Sequence, residues 1–294
     1  MTRWEPIAQQ ISQVTGKPFM ARTTRKLQGS GINATTLLSD DDQSYFVKHN
    51  DPSYLEMFRA EALGLHEIAS TLTVCVAKPV CWGTTDETSY LVLNYLELSE
   101  RTETQDIELG RTLAALHERH SPYFGWCRDN TVGTTPQINN PHADWAIFFR
   151  DRRLLFQLQL ASDNGYHGRL QDLGHRVAEG IPELLKGYSP TPSLLHGDLW
   201  AGNCATYGKR PILFDPAVYY GDREADLAMT ELFGGFSPAF YAAYKDAAPL
   251  EPGYPVRKTL YNLYHVLNHL NLAGGGYLGQ AERMMVSLLA EIGT

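Results

Sequence analysis

The run Leu194-Leu195-His196-Gly197-Asp198-Leu199-Trp200-Ala201-Gly202-Asn203 sets an aspartate and an asparagine at a spacing that suits phosphoryl transfer. Such a reaction asks little covalent chemistry of a protein and much positioning. A carboxylate must orient the attacking hydroxyl and accept its proton, while an amide oxygen holds Mg2+ beside the transferred group. Asp198 suits the first role and Asn203 the second. A further carboxylate for the metal is expected a short hairpin later, at the end of a buried strand. Ile212-Leu213-Phe214 reads as that strand and Asp215 follows it directly. With Asp198 as the base, His196 is expected to hold the loop through hydrogen bonds from a largely buried position.

The first hundred residues offer the remaining parts. Lys48, flanked by Phe46-Val47 on a third strand, is placed to hold the α- and β-phosphates of ATP. The helix that follows carries Glu56 and Glu61. Glu61 sits among Met57, Phe58, Ala62 and Leu65, so it is the one expected to face Lys48. Gly29-Ser30-Gly31, ahead of the second strand, would let backbone N–H groups approach phosphates. The end of a later apolar strand, Asn94-Tyr95-Leu96, is expected to border the nucleotide. Singly, each residue has a plainer reading: an edge-strand lysine, a turn aspartate, a helix-capping loop. Their order along the chain carries the inference.

Two frames must position them. Pro6–Thr15 reads as an amphipathic helix, with Ile7, Ile11 and Val14 on one stripe. Strands are expected at Thr23–Leu27, Asn33–Leu38, Tyr45–His49, Val74–Val80 and Tyr90–Leu96, with a helix from Pro52 between the third and fourth. Helices dominate afterwards, at Ile107–His120, Trp145–Ala161, Val177–Leu185, Ala225–Phe233, Leu260–Leu272 and Ala281–Ile292. Short strands are expected at Ser193–Leu195 and Pro211–Phe214. The class is α+β: a small antiparallel sheet lobe over residues 1–93, a hinge at 94–98 and a larger helical lobe over 99–294. The cleft between them is the expected ligand site.

Composition narrows the partners. The 294 residues carry a formal net charge of −8 and no Lys/Arg run longer than a pair, which argues against nucleic acid or an anionic membrane surface. No apolar stretch approaches the ~20 residues that span a bilayer. The opening Met1-Thr-Arg-Trp-Glu-Pro6 shows no secretory signal. Cys75, Cys81, Cys127 and Cys204 suit neither zinc nor a disulfide framework, so a reduced, cytoplasmic protein is expected.

Asp215 runs within ten residues into Gly221-Asp222-Arg223-Glu224-Ala225-Asp226, already helical in pattern. That leaves no room for a peptide-binding activation segment, and a small hydroxylated substrate fits better. Together with Phe214-Asp215-Pro216-Ala217, Asn130-Thr131-Val132-Gly133, Pro136-Gln137-Ile138-Asn139, Asp144-Trp145, Phe233-Gly234-Gly235-Phe236 and Asn268-His269, these motifs resemble the fructosamine (ketosamine) 3-kinases. Those enzymes are relatives of the aminoglycoside and choline kinases. The resemblance spans about Ile11 to Leu289. It implies a two-lobed protein-kinase-like fold, ATP and Mg2+ as cofactors, and phosphorylation of the 3-hydroxyl of a fructosamine or ribulosamine on a small amine or a protein lysine. It also implies that the phosphate makes the adduct decompose, a deglycation. Asn94 departs from the family's usual Glu at the hinge.

A second stripe on Leu260–Leu272 carries Tyr261, His265, Asn268, His269 and Leu272. His269 matches the family's Asn-His pair, and Trp200 offers an indole face beside Asp198. Trp200 and His269 are therefore expected to line the substrate pocket. An aminoglycoside-type or other small-molecule hydroxyl kinase, and a nucleotide-binding pseudokinase, remain alternatives. The sequence leaves the oligomeric state and the preferred ketosamine open.

Overall fold

A computed structural model describes residues 3–27 and 32–292. The expected phosphate loop, Gly29, Ser30 and Gly31, lies outside the described residues.

The chain opens with α1 (Glu5–Thr15), which buries Ile7, Ala8 and Ile11 and stops at Gly16 in a left-handed conformation. β1 (Thr23–Leu27), β2 (Ala34–Ser39) and β3 (Ser44–Asn50) follow, then α2 (Leu55–Ser70). Next come β4 (Cys75–Val76), β5 (Pro79–Thr84), β6 (Ser89–Asn94) and β7 (Leu98–Ser99). Five of these strands make an antiparallel sheet in the order β1-β2-β3-β6-β5. Side chains alternate across it. Tyr45 and Val47 of β3 therefore join α1 in a small core with Leu38 and Val92. Phe46 and Lys48 face the other way, towards α2. That face of α2 buries Phe58, Ala62, Leu65 and Ile68 in the main core, each contributing roughly 1.5–3 kcal/mol when fully buried, alanine less.

The expected strand Val74–Val80 is two elements. β4 turns away to pair parallel with a strand of the other lobe, and only β5 joins β6, with a register shift between Pro79 and Cys81. The expected Tyr90–Leu96 strand ends at Asn94, whose N–H donates to the Lys78 carbonyl before the chain leaves the sheet.

The second lobe comprises α3 (Glu103–His117), β8 (Asn130–Val132), β9 (Thr135–Gln137), α4 (Trp145–Phe149), α5 (Leu155–Asp163) and α6 (Arg169–Leu184). It continues with β10 (Ser193–Leu195), β11 (Cys204–Tyr207), β12 (Arg210–Leu213), β13 (Tyr219–Gly221), α7 (Glu224–Leu232), α8 (Pro238–Ala247), α9 (Tyr254–Ala273) and α10 (Leu278–Ile292). α3 starts earlier than its apolar period suggests, because a Thr102–Gln105 capping box supports a polar first turn. One π-helical turn, Arg150–Leu154, divides the expected Trp145–Ala161 helix. α8 was not anticipated, although Ser237 caps it and Pro238 opens it. It crosses α3 so closely that a Cβ at Gly110 would lie 2.4 Å from the Phe240 carbonyl oxygen. β10 pairs with β13, and a four-stranded sheet runs β4-β12-β11-β7. These small sheets carry the loops where the chemistry-bearing residues sit. No helix among the described residues is long and apolar enough to cross a membrane.

Candidate active site

β3 and α2 bring Lys48 and Glu61 together. Lys48 Nζ lies 2.6 Å from Glu61 Oε1 and 2.5 Å from Asp215 Oδ1. Glu56, on the other phase of α2, pairs with Arg128 and Arg59 instead. Burial alone would lower the Lys48 pKa, but Asp215 and Glu61 outweigh it and raise it. Lys48 is therefore a fixed positive charge. Burial pushes the Glu61 carboxyl up, and Lys48 opposes that only in part.

Asp215 follows β12 and Phe214 with φ +58°, a left-handed conformation uncommon outside glycine. Strain of this kind, of order 1–3 kcal/mol, collects at functional sites. It turns the carboxylate towards Lys48 while Ala217 returns to the preceding loop, its N–H donating to the His196 carbonyl.

That loop follows β10. His196 is buried, and burial pulls its pKa below the usual imidazole value. Its Nε2 bonds the Phe214 carbonyl at 3.0 Å, so Nε2 carries the proton, and Nδ1 accepts the Asp198 N–H at 3.3 Å. Gly197 has φ +83°, and a Cβ there would lie 2.0 Å from the Ala217 carbonyl oxygen. No larger residue fits.

Asp226, buried on α7, is a functional residue to which its place in the sequence assigns no role. Its two oxygens accept the N–H groups of His196 (2.7 Å) and Gly197 (2.8 Å), and His117 Nε2 lies 3.2 Å away. Burial alone would raise its pKa, but the His117 hydrogen bond leads the contacts that lower it. A hydrogen bond to a charged group contributes about 1.5–3 kcal/mol, so this carboxylate is a firm anchor for the loop. With Glu224 beside it in the same first turn, nothing in the local sequence marks Asp226 out.

Burial, then the Asp215 charge, pushes the Asp198 pKa up to about 7. Asn203 Nδ2 donates to the Asp198 carbonyl at 2.9 Å and to its Oδ2 at 3.3 Å, which leaves the Asn203 amide oxygen for another partner. Asn203 and Asp215 thus supply one amide oxygen and one carboxylate. This hard, sparse donor set fits Mg2+, which usually takes one or two carboxylates and completes its shell with phosphate and water. Trp200 folds its indole over Gly202: a Cβ there would fall 2.2 Å from the ring.

A cavity of about 560 Å3 gathers these groups. Lys48, Glu61, Asp198, Asn203 and Asp215 lie along it, with Trp200, Phe233, Asn268, His269 and Tyr277. The His269 ring lies between Phe233 (4.7 Å) and Tyr277 (5.2 Å). Its Nδ1 donates to the His265 carbonyl at 2.8 Å, leaving Nε2 for another partner. The β8–β9 hairpin, absent from the expected elements, adds Asn130 to Gly133 as a further wall. Asn94, Tyr95 and Leu96 do not line this cavity.

Comparisons with known proteins agree with this geometry. The sequence model of the fructosamine kinase family matches residues 3–291. A probable ketoamine kinase of Synechocystis sp. is 50% identical over 289 residues, covering 97% of both chains. The crystal structure of a putative fructosamine-3-kinase from Haemophilus somnus superposes with a TM-score of 0.91 at 31% identity, covering 97% of both chains. An aminoglycoside phosphotransferase solved with streptomycin and ATP shares the fold alone, at 14% identity and a TM-score of 0.65 over 99% of both chains. The two-lobed protein-kinase-like α+β fold is therefore the fold of this chain.

Proposed function

The chain belongs to the fructosamine kinase family, and from that premise we propose that it transfers the γ-phosphoryl group of ATP to the 3-hydroxyl of a ketosamine. The observation that carries this reading is the meeting, in one cavity, of Lys48, Asp198, Asn203 and Asp215 with an aromatic and imidazole wall. Asp198 orients the acceptor hydroxyl and takes its proton. Its raised pKa makes it a better base than an exposed carboxylate. Lys48, fixed by Glu61, holds ATP phosphates. Asn203 and Asp215 would hold Mg2+, which supplies charge neutralisation at the transferred phosphoryl group. Trp200 and His269 bound the sugar side, where an indole face and an imidazole nitrogen suit a polyhydroxylated amine. Asp226 and His196 keep the loop in place.

We place Gly29, Ser30 and Gly31 over the phosphates, and Asn94, Tyr95 and Leu96 beside the adenine at a 94–98 hinge between the lobes. The acceptor is a fructosamine or ribulosamine, free or on a protein lysine. Phosphate at C3 is a better leaving group than hydroxide, so the product, on losing a C1 proton, expels it. Water then hydrolyses the resulting C1=N bond to give the free amine and a 3-deoxy dicarbonyl sugar. Four free cysteines fit a reducing, cytoplasmic setting. Coupled ADP release with a ribulosamine, a fructosamine and an aminoglycoside tests the reading. Turnover is expected with a ketosamine; turnover with the aminoglycoside alone overturns it.

A further inference from the structure

The buried amide of Gln137 touches three separate walls of the cavity at once. It is 1% exposed, at the end of β9. Its Nε2 donates to Asn130 Oδ1 at 2.8 Å, across the hairpin, and to the Ala217 carbonyl at 3.0 Å, beyond Asp215. Its Oε1 accepts the Tyr264 hydroxyl of α9 at 3.0 Å, one turn and a little more before His269. Asn130 passes the link on, donating to the Val218 carbonyl at 2.8 Å and accepting from Asn139 Nδ2 at 3.0 Å. Asn139 accepts in turn from the buried Arg153 at 2.7 Å.

We propose that Gln137 is a positioning residue that sets the substrate wall formed by Asn130–Gly133 against Asp198 and Asp215. The inference rests on the ketosamine kinase reading for its kinetic consequence alone. Three features favour it over a merely satisfied core amide. Gln137 uses both donors and its oxygen, so each partner fixes it and it fixes each partner. Ala217, which it holds, is the residue whose carbonyl packs against Gly197 and whose N–H bonds His196. The hairpin it closes presents its opposite end, Val132 and Gly133, to the cavity. A shift at Gln137 therefore displaces the substrate wall relative to the base, while Lys48 and Glu61, on the other lobe, keep their pairing. Such a network is cooperative, and loss of one member loosens the others.

The test uses the whole protein with Gln137→Glu, which keeps size and acceptor but loses both donors, and Tyr264→Phe, which removes one hydroxyl. On a ketosamine that the wild type phosphorylates, both are expected to lower kcat/KM for the ketosamine, Gln137→Glu by roughly tenfold or more, with KM for ATP within about twofold. Amide hydrogen exchange, which needs no substrate, is expected to quicken together in peptides covering 130–137 and 215–219 and not in those covering α2. Gln137→Met, equal in length but without hydrogen bonds, should behave like Gln137→Glu. Exchange that quickens in the hairpin alone, or parallel losses for ATP and ketosamine, would overturn the proposal. A wild type that phosphorylates no ketosamine refutes the functional reading but leaves the exchange result to decide Gln137. If Gln137→Glu does not fold, Tyr264→Phe carries both readouts.

Discussion

Trp200 lies across the Cα of Gly202, its ring occupying the space a side chain at that position would need. The pair explains why a glycine stands inside the loop that carries Asp198 and Asn203. Gly202→Ala must swing the indole out. The swing is expected to lower kcat/KM for the ketosamine roughly tenfold with a smaller effect on ATP affinity, since the indole itself is assigned to the sugar side of the cavity. Steady-state kinetics with each substrate varied in turn will show it; an unchanged ketosamine KM and kcat would remove Trp200 from the sugar site.

The two aspartates should fail differently. Asp198→Asn is expected to cost on the order of a thousandfold in kcat with ATP binding nearly intact, because the carboxylate acts on the acceptor hydroxyl. Asp215→Asn should weaken ATP·Mg binding and turnover together. Calorimetric titration with a non-hydrolysable ATP analogue separates them. An Asp198→Asn enzyme retaining more than about a tenth of the wild-type rate would contradict the assignment.

The raised Asp198 pKa fixes the sign of the pH dependence. The carboxylate must be ionised to accept a proton, so kcat/KM is expected to fall as pH drops through about 7. At pH 6 it should stand about tenfold below its plateau, by the fraction still ionised. His196 is buried and hydrogen-bonded to the Phe214 carbonyl, so His196→Asn should lower activity without removing this limb. Loss of the limb in that variant would make the imidazole the titrating group.

Lys48 neutralises two carboxylates, one of them well buried. Lys48→Ala is expected to weaken ATP binding by roughly tenfold or more while the protein still folds. The fold survives because Glu61, its pKa already raised by burial, takes up a proton. The sign follows: a carboxyl whose folded pKa is raised destabilises as pH rises through that pKa. The Tm deficit of Lys48→Ala should therefore be larger at pH 8 than at pH 6. An equal deficit at both would mean that Glu61 finds another cation.

His269→Ala removes the imidazole between Phe233 and Tyr277. A higher ketosamine KM or a lower kcat is expected, with ATP affinity unchanged. A variant affected only in ATP binding would place the imidazole on the nucleotide side.

Much of this was legible before any coordinates. The helical period of α2 separates Glu61 from Glu56, because five positions shift a side chain to another face and only Glu61 sits in the apolar stripe. Strand alternation sends Lys48 to the same side. Within the loop from His196 to Asn203, short spacing is enough to set Asn203 against Asp198. What stayed hidden is what depends on distant partners. β4 has no pattern of its own, being defined by its pairing with β12. Asp226 looks like an ordinary first-turn acid, yet it binds a loop 29 and 30 residues away in sequence. Gln137 stands in the sequence only as part of the Pro136–Asn139 motif; the fold brings Ala217 and Tyr264 to it.

The parallel pairing of Cys75 and Val76 with Ile212 and Leu213 has a consequence for synthesis. The ribosome delivers β4 long before β12. The nascent sheet lobe therefore carries an unsatisfied strand until most of the catalytic lobe has emerged, so the lobe completes its hydrogen bonding late. A ribosome stalled shortly after β7 would leave the backbone groups that β4 gives to β12 hydrogen-bonded to water. Conversely, a helical lobe expressed alone would leave the outer edge of β12 bare and would be prone to self-association.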